Sequence, residues 1–281
     1  MAANIKLSFP GNIIISCEAE LAAIFEEAFT LKMALNLAQV EDSLVFQTGL
    51  DVMTDNGVVL FGMSPGNPYF KSGVIEDYVN YLGKEKRRVI VVVPQQPAEH
   101  AYRAMGSKDA VKRAKKNSSR LKSHCRRAID KVSYADQMAG EFYMLDWTRE
   151  VDTHEAYIAA LDFIVKFYKS NSDFRQDVIR STAKVLGKNI PSSEDSQSVN
   201  KICGESSDSE IEEDESVQEG VYYLLKEMAF IISSKEMFGT NKIAVIYHRS
   251  WPVYEKFVNG DYDGEAKEGL GLAIINYDLR C

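Results

Sequence analysis

Twice within residues 58–93 the chain runs through apolar, largely β-branched residues and then halts at turn formers. Val58-Val59-Leu60-Phe61 gives way to Gly62-Met63-Ser64-Pro65-Gly66-Asn67-Pro68, and Arg88-Val89-Ile90-Val91-Val92-Val93 stops at Pro94. Apolarity without alternation over so short a run suits a strand of a parallel sheet covered on both faces. The Gly, Pro and Asn that follow bar the chain from continuing as strand or opening cleanly as helix. Phe142-Tyr143-Met144-Leu145 reads the same way, and Lys242 to His248 reads as a short strand ending in a polar aromatic pair. Apolar residues at helical spacing separate these runs, over Val74–Leu82, near Glu155–Tyr168 and Phe174–Leu186, and over Gly220–Phe230. Strands alternating with helices predict an α/β fold, a Rossmann-like, doubly wound, mostly parallel sheet. Upstream, Ile13-Ile14-Ile15 reads as a strand and Leu21–Val40 as a helix. With 281 residues and no internal repeat, the chain 1–281 is expected to form a single domain.

Ser64 is the first chemical candidate. Such a fold presents its hydroxyl at the C-terminal end of a strand, where open α/β sheets bind ligands. Gly62-Met63-Ser64-Pro65-Gly66 also fits the G-x-S-x-G turn of serine hydrolases. In that turn the residue after the serine donates its backbone N–H to the oxyanion, and Pro65 has none. Loss of one such donor typically costs about 10²–10³ in rate. None of His100, His124, His154 and His248 stands in a recognisable hydrolase context. The loop therefore offers a nucleophile but argues against a hydrolase. A turn serine that merely caps a helix is the plain alternative.

A second cluster lies far downstream. Tyr223 and Glu227 are four residues apart in a helical pattern, so their side chains share one helix face. Tyr247 and His248 end the strand that follows. Two phenols and a carboxylate can hold an ammonium and move protons. Read blandly, Tyr223 and Glu227 are a solvent-facing pair and His248 is a structural histidine.

The net charge of −8 argues against a polyanion as partner until it is counted by segment. Glu194 to Glu219 holds Glu194, Asp195, Glu205, Asp208, Glu210, Glu212, Glu213, Asp214, Glu215 and Glu219 against Lys201 alone. Without that segment the remainder is nearly neutral, and within the remainder Lys84 to Lys131 is strongly basic. Rich in Ser, Asp and Glu and poor in aromatics, the stretch from about 190 to 219 is expected to be a disordered insertion. Ser206, Ser207, Ser209 and Ser216 stand among its acids as possible phosphorylation sites; a solvated loop without a role is the simpler reading. From Ser107 to Arg127 the cations recur at helical spacing, with Ala110, Ala114, Leu121 and Cys125 set to pack inward. A helix here is either an ordinary solvated face or a stripe for phosphates, with Lys112, Arg113, Lys115, Lys116, Arg120, Arg126 and Arg127 as the contacts. Cys17, Cys125, Cys203 and Cys281 are scattered and no metal-ligand spacing occurs, so no metal is expected and the thiols read as reduced. No apolar run approaches the roughly 20 residues that cross a membrane, and the N-terminus does not read as a secretory signal. A cytoplasmic protein, a monomer that binds neither membrane nor DNA, is the expectation.

The ordered set Gly62, Ser64 and Asn67, then Tyr223 and Glu227, then Tyr247 and His248 resembles the tRNA-dependent cyclodipeptide synthases, in the subgroup with Asn and Tyr-His. Their pattern is a G-x-S-x-x-N loop, a Y-x-x-x-E helix and a Y-H strand end, and the likeness runs from about Val58 to Val258. The acidic insertion before the Tyr223 helix is longer than that pattern leads one to expect. The resemblance implies a fold like the catalytic domain of the tyrosyl- and tryptophanyl-type class I aminoacyl-tRNA synthetases. It implies two aminoacyl-tRNAs as substrates and a diketopiperazine as product. Ser64 would carry first an aminoacyl and then a dipeptidyl group in a ping-pong sequence. Tyr223 and Glu227 would hold the first α-amino group, with Glu227 also moving protons, and Tyr247 would relay protons during cyclisation. Asn67 and His248 would position the acyl chain or the tRNA end, and Leu60 and Gly62 would line the first side-chain pocket. The basic helix would take the tRNA backbone. The energy is already in the esters, so no cofactor is implied, in keeping with the absence of a G-x-x-x-x-G-K-[ST] loop. A non-catalytic tRNA- or RNA-binding Rossmann-like module is the rival reading, and a serine hydrolase is a third.

Overall fold

The structure, a computed structural model, describes residues 57–84, 88–134, 140–188 and 214–274. All of them lie in one compact unit, Leu44–Cys281. The strand at Ile13–Ile15, the helix at Leu21–Val40 and the acidic stretch up to residue 213 fall outside the described residues.

Five strands, β1 (Val58–Gly62), β2 (Arg88–Val92), β3 (Glu141–Met144), β4 (Ile243–Tyr247) and β5 (Leu270–Ile274), form one parallel sheet in the order β3-β2-β1-β4-β5. The first three strands build outward on one side of β1, and the chain then returns to add β4 and β5 on the other. The register sets Leu60 beside Ile90 and Val245, and Phe61 beside Val91 and Ile246.

Alternate residues of each central strand enter two cores. Val58, Leu60, Ile90, Val92, Ile243, Val245 and Leu272 face one core, and Val59, Phe61, Val89, Val91, Ala244 and Ile246 face the other. Helices α4 (Glu155–Ser170), α5 (Ser172–Val185), α6 (Glu215–Met237) and α7 (Pro252–Asn259) cover the first. The second is closed by α1 (Ser72–Gly83) and by the long α3 (Ala110–Tyr134), with Phe61 stacked on Tyr78 at 5.0 Å. Burial on both faces is why β1 and β2 are apolar without alternation. Helix α2 (Gln95–Ala104) follows β2 and forms a small separate core with α3 from Ala98, Tyr102, Ala110 and Ala114.

Two expectations are corrected here. Strand β3 is an edge strand: Glu141 and Tyr143 point to solvent, and full burial begins only at Leu145 beyond its end. Phe142 and Met144 pack partly against the α1/α3 core while the opposite face of β3 is exposed, so the unbroken apolar run Phe142–Leu145 does not mark two buried faces there. At the other boundary, residues 214–219, assigned by composition to the acidic insertion, are ordered into the start of α6. The Asp214 side chain accepts the Ser216 N–H at 2.9 Å and pairs with Lys188. Acids in the first helical turn are favoured by the helix dipole, so their density marks a helix start here.

Because α6 carries Tyr223 and Glu227, its N-cap supports the site. Replacing the cap, Asp214→Ala, is expected to cost about 1 kcal/mol of stability, measured as a shift in the urea midpoint. The Lys188 pair and the Ser216 hydrogen bonds hold the Asp214 carboxyl well below the usual range. That contribution is present above the unfolded carboxylate pKa and is lost as pH falls, so the gap between variant and parent should close in acid.

Candidate active site

The loop after β1 is a turn built by its own sequence. The Asn67 N–H donates to the Ser64 carbonyl at 3.1 Å, Pro65 and Gly66 occupy the two corners, and Gly66 has φ +90°. Pro at the first corner and Gly at the second are the residues that a type II turn asks for. The Asn67 side-chain oxygen accepts the Tyr69 N–H at 3.0 Å and so closes the next bend. The Met63 N–H donates to the Val92 carbonyl at 2.9 Å, which holds the start of the loop to the end of β2. Ser64 therefore sits at the carboxyl end of the sheet beside the point where the strand order reverses, with Tyr247 at the end of the adjacent β4.

Helix α6 brings the second cluster to that hydroxyl. Tyr223 Oη lies 2.9 Å from Ser64 Oγ and also hydrogen-bonds Glu227. A phenol has one proton to give. When it goes to an ionised Glu227, the Ser64 hydroxyl donates to Tyr223 in turn. When Glu227 is protonated, both bonds reverse. Tyr247 faces Ser64 from the β4 side, with the Arg249 guanidinium 6.0 Å from its ring centroid, and both polar groups draw its phenol downward. The serine thus stands between two phenols with a carboxylate behind one of them.

Burial dominates the electrostatics. It lifts the Glu227 carboxyl to about 7, against a partial lowering by the Tyr223 hydrogen bond. Burial and the neighbouring carboxylate hold Tyr223 and Tyr247 as neutral phenols, while Arg249 and the Ser64 contact pull Tyr247 partly back. The His248 ring is pressed down to about 4 by burial and by Arg249. It stacks on Tyr69 at 4.2 Å with Phe70 edge-on at 5.6 Å, and its Nδ1 is buried without a hydrogen-bond partner among the described residues. The imidazole is therefore neutral at neutral pH and wedged against the aromatic side of the loop.

A search with protein-family models matches residues 47–277 to the cyclodipeptide synthases. The chain belongs to that family. Solved structures share the fold. A cyclodipeptide synthase from Staphylococcus haemolyticus superposes with a TM-score of 0.63 at 15% identity, over 82% of this chain and 96% of the other. A Mycobacterium tuberculosis protein, described as showing that cyclodipeptide synthetases are related to type I tRNA synthetases, gives 0.58 at 18% identity, over 82% and 89%. A cyclodipeptide synthase from Candidatus Glomeribacter gigasporarum, solved bound to Phe-tRNA, gives 0.52 at 13%, over 78% and 88%. No curated protein sequence matches this chain. The enzyme's parallel sheet with helices on both faces is the α/β fold expected from its sequence.

Ser64, Tyr223, Glu227 and Tyr247 converge as described. Asn67 joins them through the turn it closes, and His248 lies on the loop's aromatic side. Gly62 leaves open space where a side chain would stand, next to Ser64, while Leu60 is buried in the core beneath it. The seven cations of α3 stand apart from this cluster and are all exposed, opposite the buried stripe Ala110, Ala114, Ser118, Leu121, Cys125, Ala128 and Val132. Among the described residues no group of His, Cys, Asp and Glu is placed to bind a metal, and no helix is long and apolar enough to cross a membrane. Sequence reasoning missed Tyr69 and Arg249, both within two residues of motif positions, where proximity was the available signal.

A carboxyl lifted to about 7 in the fold from an ordinary 4.5 favours the protonated form when folded. Its effect on stability is neutral below the unfolded pKa and becomes a penalty that builds as pH rises from there to the folded one, where it is complete. Glu227→Gln should therefore melt higher than the parent at pH 8, by up to roughly 3 kcal/mol before solvent in the site reduces the figure. At pH 4, below the unfolded value, the two should nearly coincide, which thermal melts at both pH values would check.

Proposed function

We propose that this synthase joins two aminoacyl groups from aminoacyl-tRNAs into a diketopiperazine through covalent intermediates on Ser64. The observation that carries the reading is the Ser64–Tyr223–Glu227 hydrogen-bond chain, which gives a serine in a Pro-blocked turn a route for its proton.

In the first half-reaction Ser64 Oγ attacks the ester carbonyl of one aminoacyl-tRNA, and the ester bond to the tRNA ribose breaks. The ribose oxygen leaves with a proton and Ser64 keeps the aminoacyl group. Tyr223 and Glu227 hold the α-ammonium of that group, and a carboxyl near 7 is half ionised at neutral pH, ready to accept a proton as the amine becomes a nucleophile. The amine of the second aminoacyl-tRNA then attacks the acyl-serine carbonyl, which forms the first peptide bond, breaks the serine ester and leaves the dipeptide on the second tRNA; Ser64 Oγ attacks that dipeptidyl-tRNA ester in turn, giving a dipeptidyl-Ser64 enzyme whose free amine attacks the serine ester and closes the ring. The net second transfer forms one peptide bond and frees the second tRNA; ring closure forms the other and returns the proton to Ser64 Oγ. Tyr247, facing Ser64 from the opposite side, relays that proton. Asn67 fixes the loop, and His248 packs against it as a neutral wall. Leu60 and the space above Gly62 form the floor for the first side chain.

Lys112, Arg113, Lys115, Lys116, Arg120, Arg126 and Arg127 give the tRNA backbone a stripe along a helix of about 37 Å, at 1.5 Å per residue. A cytoplasmic monomer of the Asn/Tyr-His subgroup, working without cofactor or metal, completes the reading.

Mass spectrometry of medium from cells expressing the parent and Ser64→Ala is the direct test. New diketopiperazines that vanish in the variant support the reading and name the side chains. Purified protein that binds charged and uncharged tRNA alike and yields no product would replace it with the tRNA-binding module. Reversing charge at three or more α3 positions should raise KM for aminoacyl-tRNA and flatten its salt dependence by about 0.7–0.9 per lost contact in a log–log plot. The rate at saturating substrate should climb through an apparent pKa near 7, and Glu227→Gln should flatten that limb while lowering the rate.

A further inference from the structure

Between the basic helix and the serine turn stands a residue to which neither motif points. Tyr102, on α2, is buried against Ala98, Ala110 and Ala114, so its ring is held by α2 and α3 together. Its hydroxyl lies against Gly66, so closely that a Cβ there would collide with it. The same hydroxyl accepts a hydrogen bond from the Asn117 amide. Asn117 lies in the first third of α3, between the proposed phosphate contacts Lys116 and Arg120. Contacts thus run from the basic helix, through one phenol, to the second corner of the turn that presents Ser64.

Each member has a chemical reason to be what it is. Gly66 is held to glycine twice, by a φ of +90° and by the missing space. Tyr102 is the residue whose ring can be buried while its tip stays polar. Asn117 is half-buried on a helix whose neighbouring cations are exposed, and its amide points inward to the phenol. An all-apolar contact would fill the gap equally well but would leave the spacing between helix and turn free to slide. The hydrogen bond fixes it.

We infer that Tyr102, held by Asn117, is a positioning residue that sets the Ser64 turn at a fixed distance from the helix on which the tRNA backbone rests. The double-stranded acceptor stem of a tRNA is stiff, so anchoring its phosphates on α3 fixes where its aminoacylated 3′ end enters the site. The nucleophile must meet it within a few tenths of an ångström, and misplacement of about 1 Å costs on the order of 10²-fold. Neither Tyr102 nor Asn117 touches the reacting atoms in this scheme. The inference rests on the reading of Ser64 as nucleophile and of α3 as the tRNA-binding face.

Single-turnover transfer from aminoacyl-tRNA to the enzyme, combined with the Kd for tRNA and hydrogen exchange of the loop amides, tests it. Tyr102→Phe keeps the ring and its packing, and melting would show the fold intact. Transfer at saturating substrate should slow by about tenfold, with Kd unchanged within twofold and with faster exchange at the Asn67 N–H that closes the turn. Asn117→Leu should do the same, and the double variant should be no slower than either, because both cut one link. Asn117→Asp can accept the phenolic proton instead; it should restore the rate and weaken tRNA binding, since it adds a negative charge among Lys115, Lys116 and Arg120. Full-rate transfer by Tyr102→Phe, a loss that appears only in Kd, or multiplicative losses in the double variant would overturn the inference. If the parent transferred no aminoacyl group, the underlying reading of Ser64 would fall. The exchange rates would then still decide the strut, with unchanged exchange in Tyr102→Phe overturning it.

Discussion

Parallel strands cannot be joined by a hairpin, so the pairing of β1 with β4 obliges the chain to leave β1, build one side of the sheet, and come back from far away. That pairing sits where the strand order reverses, and the loops that leave β1 and β4 diverge from it. A crevice opens between them at the carboxyl end. Ser64 follows β1 and Tyr247 ends β4, so the register that pairs Phe61 with Ile246 also sets the two chemical groups side by side. Helix α6, which precedes β4, lies over the same face and lowers Tyr223 and Glu227 onto the serine. A slip of one residue in β4 would turn Ile246 out of its core and Tyr247 away from the serine. The packing of the strands and the geometry of the site are thus one constraint.

Placing a carboxylate in that crevice costs stability, and under the proposed mechanism the chemistry gains from it. In water Glu227 would be fully ionised at neutral pH and a poor carrier of protons. Burial brings its affinity for a proton close to the operating pH, while Tyr223 supplies a bond that either protonation state can use. The two phenols stay neutral for the same reason, so each can donate and accept without competing for the charge. His248 is pushed the other way by its buried stacking and by Arg249. One environment, low in water and short of cations except at Arg249, accounts for all four shifts.

Four of the five strands and the paired motifs were legible because their signals are local; β5 (Leu270–Ile274) was not read. Val58–Phe61 and Arg88–Val93 needed only an unbroken apolar run closed by turn formers, and α3 needed only cations opposite Ala110, Ala114, Leu121 and Cys125. The edge position of β3 was not legible, since whether a strand is covered depends on what pairs beyond it. Helix α2 was also missed: Gln95-Gln96-Pro97 opens it with no capping side chain, and its buried residues, Pro97, Ala98, Tyr102 and Ala104, form too sparse a stripe to read. Missing α2 meant missing Tyr102, whose meaning comes from Gly66 and Asn117, each distant in sequence. The start of α6 was misjudged because composition counts acids without asking where the helix dipole wants them.

Charge obeys a similar rule of locality. A chain of net charge −8 would repel a polyanion if its charges acted from a common centre. At physiological ionic strength a charge is felt over about 8 Å, roughly the distance across one helix. A phosphate lying along α3 therefore responds first to the charges nearest it, Lys112, Arg113, Lys115, Lys116 and Arg120. The helix keeps that face free of acids from Ala110 to Ile129, and the ring of Tyr102 and the apolar stripe beneath it give the cations a rigid base. Counter-ions released by such a stripe drive binding in proportion to the phosphates it touches, whatever the sum over the whole molecule. Net charge bears on the solubility of the chain, and local charge decides where a nucleic acid can lie.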